Sequence, residues 1–363
     1  MSAHSEPTFL QLRGTFLLPA LREQGLQWRI GEGHVLHALP IDEEHIIIHT
    51  DSAVSLRSLL TQEILWEIDC PSFNWAIDCQ HQLLVLAPGD TTITLWDLRT
   101  GQPARYLRYE DAQDTYRVNP NGLALNADGT MLAAGMKGHK SSVVVVWDTT
   151  RGQLLHILPV DDALSDITTL AFHPTQLMLA GGSFNNHRVW FWDLEHGELL
   201  AIWEPDESGT VDSVDEEPPL EYDNKAQCND RPYSLTFCCN GTLLCVGWGN
   251  CGLRIWDVEQ GREVSGPERN AHPIWVTADP AGRYIAFSHF SNIHVESIYI
   301  VETTTWKVVR EFTGHNPRPF FSDDGQLLTI REERTGLIRL FHVGTWSELY
   351  SMQIVTSQGR STK

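Results

Sequence analysis

The 363-residue sequence has too few cysteines, too irregularly placed, for a disulfide framework. There are seven, an odd number (Cys70, Cys79, Cys228, Cys238, Cys239, Cys245 and Cys251), and no CxxC occurs. Cys238 and Cys239 are adjacent and Cys245 lies inside the apolar run LLCVG, which is not the paired spacing of a structural zinc site. These cysteines read as buried, reduced thiols, and no metal is expected. Positive charge is also scarce. Against 47 Asp and Glu stand 26 Lys and Arg, a net charge of −21 that repels phosphate backbones and disfavours nucleic acid as a partner. No 18-residue apolar run exists, so neither a transmembrane helix nor a membrane partner is expected. The opening MSAHSEPTFLQLRG lacks the basic, apolar, small-residue order of a secretory signal. A soluble, cytoplasmic protein is the expectation.

Signatures of catalysis are missing too. There is no HExxH, no phosphate-cradling glycine loop, no Ser/His/Asp order and no cysteine-nucleophile motif. The tempting HIIIH (45–49) is β-branched and reads as a strand, where i and i+4 stand roughly 13 Å apart, too far to share one ion. No enzyme and no cofactor is expected.

What the chain does have is aromatic residues and repetition. Thirteen Trp, thirteen Phe and a 42% hydrophobic content mark a globular core rather than a disordered chain. Four segments align in register: TITLWDLRTGQ (92–102), VVVVWDTTRGQ (143–153), VWFWDLEHGE (189–198) and LRIWDVEQGR (253–262). Each is an apolar or alternating strand ending in Trp-Asp, followed by a polar turn closing on Gly and then another strand. Weaker copies are AVSLRSLLTQE (53–63), SIYIVETTTWK (297–307) and LIRLFHVGTWS (337–347). The Trp position is thus filled by Arg57, Trp96, Trp147, Trp192, Trp256, Val301 and Phe341, with spacings between 39 and 64 residues. Between these anchors recurs a hairpin unit, as in LALNADGTMLAAG (123–135) and FFSDDGQLLTI (320–330). Every repeat is therefore four short antiparallel strands, a to d, with Trp-Asp ending strand c. One such sheet cannot cover both its faces, whereas a radial array buries them against neighbours.

On these residues the chain resembles the WD-repeat β-propeller family over about 25–355, and seven copies imply an all-β, seven-bladed propeller. The family's Gly-His before strand a survives only at Gly33-His34 and Gly314-His315, so packing rather than a histidine network is expected to hold most blades. Two segments compete to close the ring, GLQWRIGEG (25–33) and SELYSMQIV (347–355), and the C-terminal one is favoured because it follows strand c through a tight turn. That leaves residues 1–24 as an N-terminal extension, to pack along the propeller's side or dock on a partner, and 356–363 as a tail. The resemblance implies a non-catalytic scaffold that holds a peptide or protein partner. Alternatives are a propeller enzyme or small-ligand binder at the channel mouth, or an obligate subunit docked through the extension.

In this geometry the d–a and b–c connections share one face, the top. Aligned strand-a starts place Asn74, Thr169, Ser234, Trp275 and Arg318 near the channel mouth, with Asp166, Arg231, His272 and His315 just outside. Tyr233, beside Arg231, and Trp248 in GWGN complete the candidate contact set. Trp275 and Arg318 are large where other blades carry small or polar residues, and aromatics beside arginine are common binding anchors.

One stretch breaks the period. EPDESGTVDSVDEEPPLEYD (204–223) holds nine acidic residues in twenty, among them Asp206, Glu207, Asp212, Asp215, Glu216 and Glu217. It falls within a d–a connection (204–230) between the fourth and fifth blades, so it is an insertion in one fold rather than a domain linker. Emerging on the top face, it is expected to recruit a basic partner or to fold back over the Arg- and His-bearing loops.

Overall fold

The computed structural model describes residues 27–356, apart from 31–34, 42–43, 59–60, 71–73, 79, 89–91, 112–113, 161–164, 186, 205–230, 250–251, 265, 268–272, 290–295, 323–324 and 333–334. The period-2 apolar runs form strands and the Asp, Asn and Gly clusters form the turns between them. Seven sheets result, each built from one continuous stretch: 35–69, 74–108, 117–159, 167–203, 234–264, 276–314 and 317–356. Each is an antiparallel a–b–c–d meander, and together they make a seven-bladed β-propeller. The one helical element among the described residues is a 3-10 turn, Cys239–Gly241. No helix there is long and apolar enough to cross a membrane.

The repeat alignment holds at the level of single residues. In six blades the c–d pairing shifts register on reaching the Trp position, at Arg57, Trp96, Trp147, Trp192, Val301 and Phe341. The three copies without Trp therefore carry the same bulge as the copies with it.

The aspartate after Trp builds the c–d turn. Asp148 accepts the Thr150 amide at 2.8 Å, the Thr150 hydroxyl at 2.6 Å and the Arg151 amide at 2.8 Å. Asp97 and Asp193 close their turns the same way. A left-handed glycine then bonds back to the aspartate carbonyl, as Gly152 (φ 71) does to Asp148 at 2.7 Å. In the weaker copies Gln62, Trp306 and Trp346 take that position with φ of 65, 55 and 54, so the turn persists at some backbone strain.

These bonds, led by the Thr150 hydroxyl and the Arg151 amide, hold the Asp148 carboxyl down to about 2, against an ordinary value of 3.8. A carboxyl depressed in the folded state contributes stability that is complete above the ordinary value and is lost as pH falls through about 2. Asp148→Asn should therefore melt below the parent at neutral pH, with the gap closing as pH falls from about 4 toward 2. A gap constant with pH would exclude the charge as its cause.

Between blades the junctions are apolar. Each pair from first–second to sixth–seventh encloses a buried cluster, for example Ala133, Val146, Leu158, Ile167, Trp190 and Trp192 between the third and fourth.

Closure uses both candidate segments. Glu348–Thr356 is strand d of the seventh blade, and Gln27–Ile30 adds a fifth strand outside it, parallel, with Gln27 opposite Gln353 and Ile30 opposite Thr356. The chain then crosses to strand a of the first blade, Val35–Pro40. The two ends of the chain are thus stitched together, and the choice between them was not exclusive.

Candidate interaction surface

Strand a of every blade starts at the top and lines the central channel. At that level side chains link neighbouring blades. The Asn74 amide donates to the Val118 carbonyl at 3.4 Å, and the Asn119 amide donates to the Ile167 carbonyl at 3.0 Å. Further round, the Ser234 hydroxyl accepts the Val276 amide at 2.8 Å. The channel rim is a partial hydrogen-bonded hoop.

Two arginine-on-aromatic stacks stand on this rim. The Arg318 guanidinium lies 3.7 Å from the centre of the Trp275 ring, joining the seventh blade to the sixth. Trp275 is fixed from below, because its amide donates to Ser288 Oγ at 3.0 Å and its carbonyl accepts the Ser288 amide at 2.9 Å. Arg318 pairs across the sheet with Arg331, which is 1% exposed. Between the fourth and fifth blades, the Arg231 guanidinium lies 3.7 Å over the Phe184 ring, and Tyr233 meets that ring edge-on at 6.2 Å. Phe184 is anchored by its amide to the Asp166 carbonyl at 2.9 Å. The Asp166 carboxylate takes the Lys137 ammonium at 2.6 Å and the Asn185 amide at 2.9 Å. Both stacks are partly exposed. Such arginine-on-aromatic stacks contribute about 0.5–2 kcal/mol each.

In the connection that leads into the third blade, residues 114–116 lie against that blade's b–c loop. Its Asp114 carboxylate accepts the amides of Lys140, His139 and Thr115 at 2.8, 2.9 and 2.8 Å, which hold its pKa below the ordinary value. Tyr116 hydrogen-bonds Ser141 across the same gap. Asp114 and Tyr116 are thereby tied to residues 139–141.

Two of the sequence candidates are buried rather than exposed on the top face. Trp248 is completely buried and packs on Trp256, with ring centres 5.4 Å apart, because the turn after strand b folds its side chain into the fourth–fifth junction. Asn74 is 5% exposed, its amide committed to the next blade. His315 is exposed, so it does not fill the buried place of a structural Gly-His histidine. His272 and the acidic residues Asp206, Glu207, Asp212, Asp215, Glu216 and Glu217 lie outside the described residues, as does the 1–24 extension. Sequence reading missed Phe184 and Lys137. Phe184 lies in the b–c connection of the fourth blade, and only the fold sets it under Arg231.

Among the described residues no three His, Cys, Asp or Glu side chains gather as a metal site. His49 is fully buried with its ring 5.3 Å from that of Trp75. Cys70, Cys238, Cys239 and Cys245 form no disulfide, and a hydrogen bond with Cys238 together with burial pushes the Cys239 thiol up.

The architecture defines the class: the chain is a seven-bladed β-propeller with an arginine- and aromatic-bearing top face. No protein-family model matches the chain.

Proposed function

We propose that this chain is a propeller of the WD-repeat kind and works as a non-catalytic, cytoplasmic scaffold whose top face holds a peptide or protein partner. The reading is carried by the pair of partly exposed stacks, Arg318 on Trp275 and Arg231 on Phe184, standing on a rim locked by interblade bonds. Arginine and aromatic side chains in rigid, half-buried settings are the usual energetic anchors of protein interfaces. Turnover would need acid–base groups converging at the channel, whereas its described walls are backbone-bonded amides and hydroxyls above and apolar side chains below. Binding is favoured over catalysis.

The test is quantitative affinity capture from cell extract, comparing the parent with Trp275→Ala plus Arg318→Glu and, separately, with Arg231→Glu. Loss of an anchor costs about 2 kcal/mol or more, so the true partner should be retained roughly thirtyfold less well. If both variants keep every partner, the top face is not the binding surface.

A further inference from the structure

The lower half of the channel is an apolar funnel of about 450 Å³. Its walls are residues of strands a, with Trp75, Ile77, Leu125, Phe172, Phe237 and Phe320 among them. All of these except Phe237 are only partly buried. Pro174, exposed in the a–b turn of the fourth blade, marks the lower mouth. Water-facing aromatic and aliphatic surface gathered in one concavity is characteristic of an occupied site.

The chain's own path supplies an occupant. Strand d of the seventh blade climbs from the lower face to the upper, and Gln27–Ile30 runs parallel to it, so the preceding residues approach from below. Gln27 pairs with Gln353, above the strand's start at Glu348, a descent of about 16 Å that about five residues cover at ~3.3 Å each. From this fifth strand inward to strand a is four strand spacings, about 19 Å, or about six more extended residues. A segment that leaves the edge at residue 26 therefore reaches the funnel with Phe9, Leu10, Leu12 and Phe16 still in hand. Those side chains match the funnel's apolar chemistry.

We propose that the lower mouth of the channel is the docking site of the N-terminal segment 7–24, whose apolar side chains fill the funnel. The contact is intramolecular, and the tether makes it concentration-independent. It is separate from the top face, so neither proposal stands or falls with the other.

The experiment uses the full chain with photoreactive benzoylphenylalanine in place of Phe172, and separately in place of the exposed Pro174, where the probe leaves the core untouched. After irradiation of dilute protein, digestion and mass spectrometry, the expected product is an adduct within one chain to a peptide from 7–24. The adduct should be lost in Phe9→Glu plus Phe16→Glu, and the fluorescence of the apolar dye ANS should rise several-fold in that variant. No adduct, an adduct joining two chains, or an adduct to any other segment overturns the proposal. Bright ANS fluorescence in the unsubstituted chain also overturns it, by showing a funnel open to small apolar molecules.

Discussion

Replacing Trp192 with alanine is expected to lower the stability of the propeller by about 3–5 kcal/mol, a large share of the 5–15 kcal/mol typical of a folded protein. Trp192 is entirely buried in the junction of the third and fourth blades, against Ala133, Val146, Leu158 and Ile167. Gly181 lies so close beneath its ring that an added Cβ would come within 2.8 Å of it. Its indole N–H donates to the Pro159 carbonyl at 3.1 Å, tying strand c of one blade to strand d of the previous one. Removing the side chain empties a cavity that rigid sheets on both sides cannot collapse. In urea unfolding the midpoint should fall while the slope stays unchanged. A loss below about 1 kcal/mol would mean that the two blades close over the gap. The finer comparison is with phenylalanine. Trp192→Phe strands the Pro159 carbonyl and should cost about 1–3 kcal/mol. Trp96 occupies the same repeat position, yet its buried indole N–H has no acceptor, so Trp96→Phe should stay within about 1 kcal/mol of the parent.

Gly135→Ala is expected to cost about 3 kcal/mol, although glycine-to-alanine changes in permissive backbone usually stabilise by about 0.4–1 kcal/mol. Gly135 is in strand b of the third blade, opposite Val144, in an ordinary extended setting. An added Cβ would overlap the Ile167 carbonyl oxygen of the fourth blade. That same oxygen accepts the Asn119 amide and is 2.9 Å from where a Cβ on Gly122 would stand. Three close approaches converge on one backbone atom, so alanine cannot be accommodated by turning a side chain. The blades must separate and the hoop bond must break. Gly261→Ala is the control. Gly261 is left-handed (φ 60) but nothing lies within 4 Å of its added Cβ, so only backbone strain of about 1–2 kcal/mol is expected. Thermal unfolding of the two variants should rank Gly135→Ala as the worse, and the opposite order would refute steric control at this junction.

Trp192 and Gly135 also mark how far the sequence could be read. Local rules recover the blades: alternation writes the strands, Asp148 and Gly152 write the turn, and the repeat alignment alone puts Arg57, Val301 and Phe341 in register with the tryptophans. The site was legible only in outline. Arg318 and Trp275 stood out as large residues in a small-residue position, but their stacking joins two blades, and Phe184 became visible only under Arg231. Trp248 looked like a loop aromatic and is core. Ring closure offered two segments, and the fold pairs one on the outside of the other.

The sequence by itself therefore determined the repeat, the four-strand meander and the c–d turn, because each depends on residues a few positions apart, whose dihedral preferences and side-chain bonds act within one hairpin. Tertiary structure decided which tryptophan finds an acceptor, which glycine admits a neighbouring carbonyl, which loop side chains face solvent, and how the ends of the chain meet. Those outcomes depend on how one twisted sheet seats against the next. Contacts between blades join residues tens of positions apart through shape rather than through pattern, and only the closed ring brings them within reach.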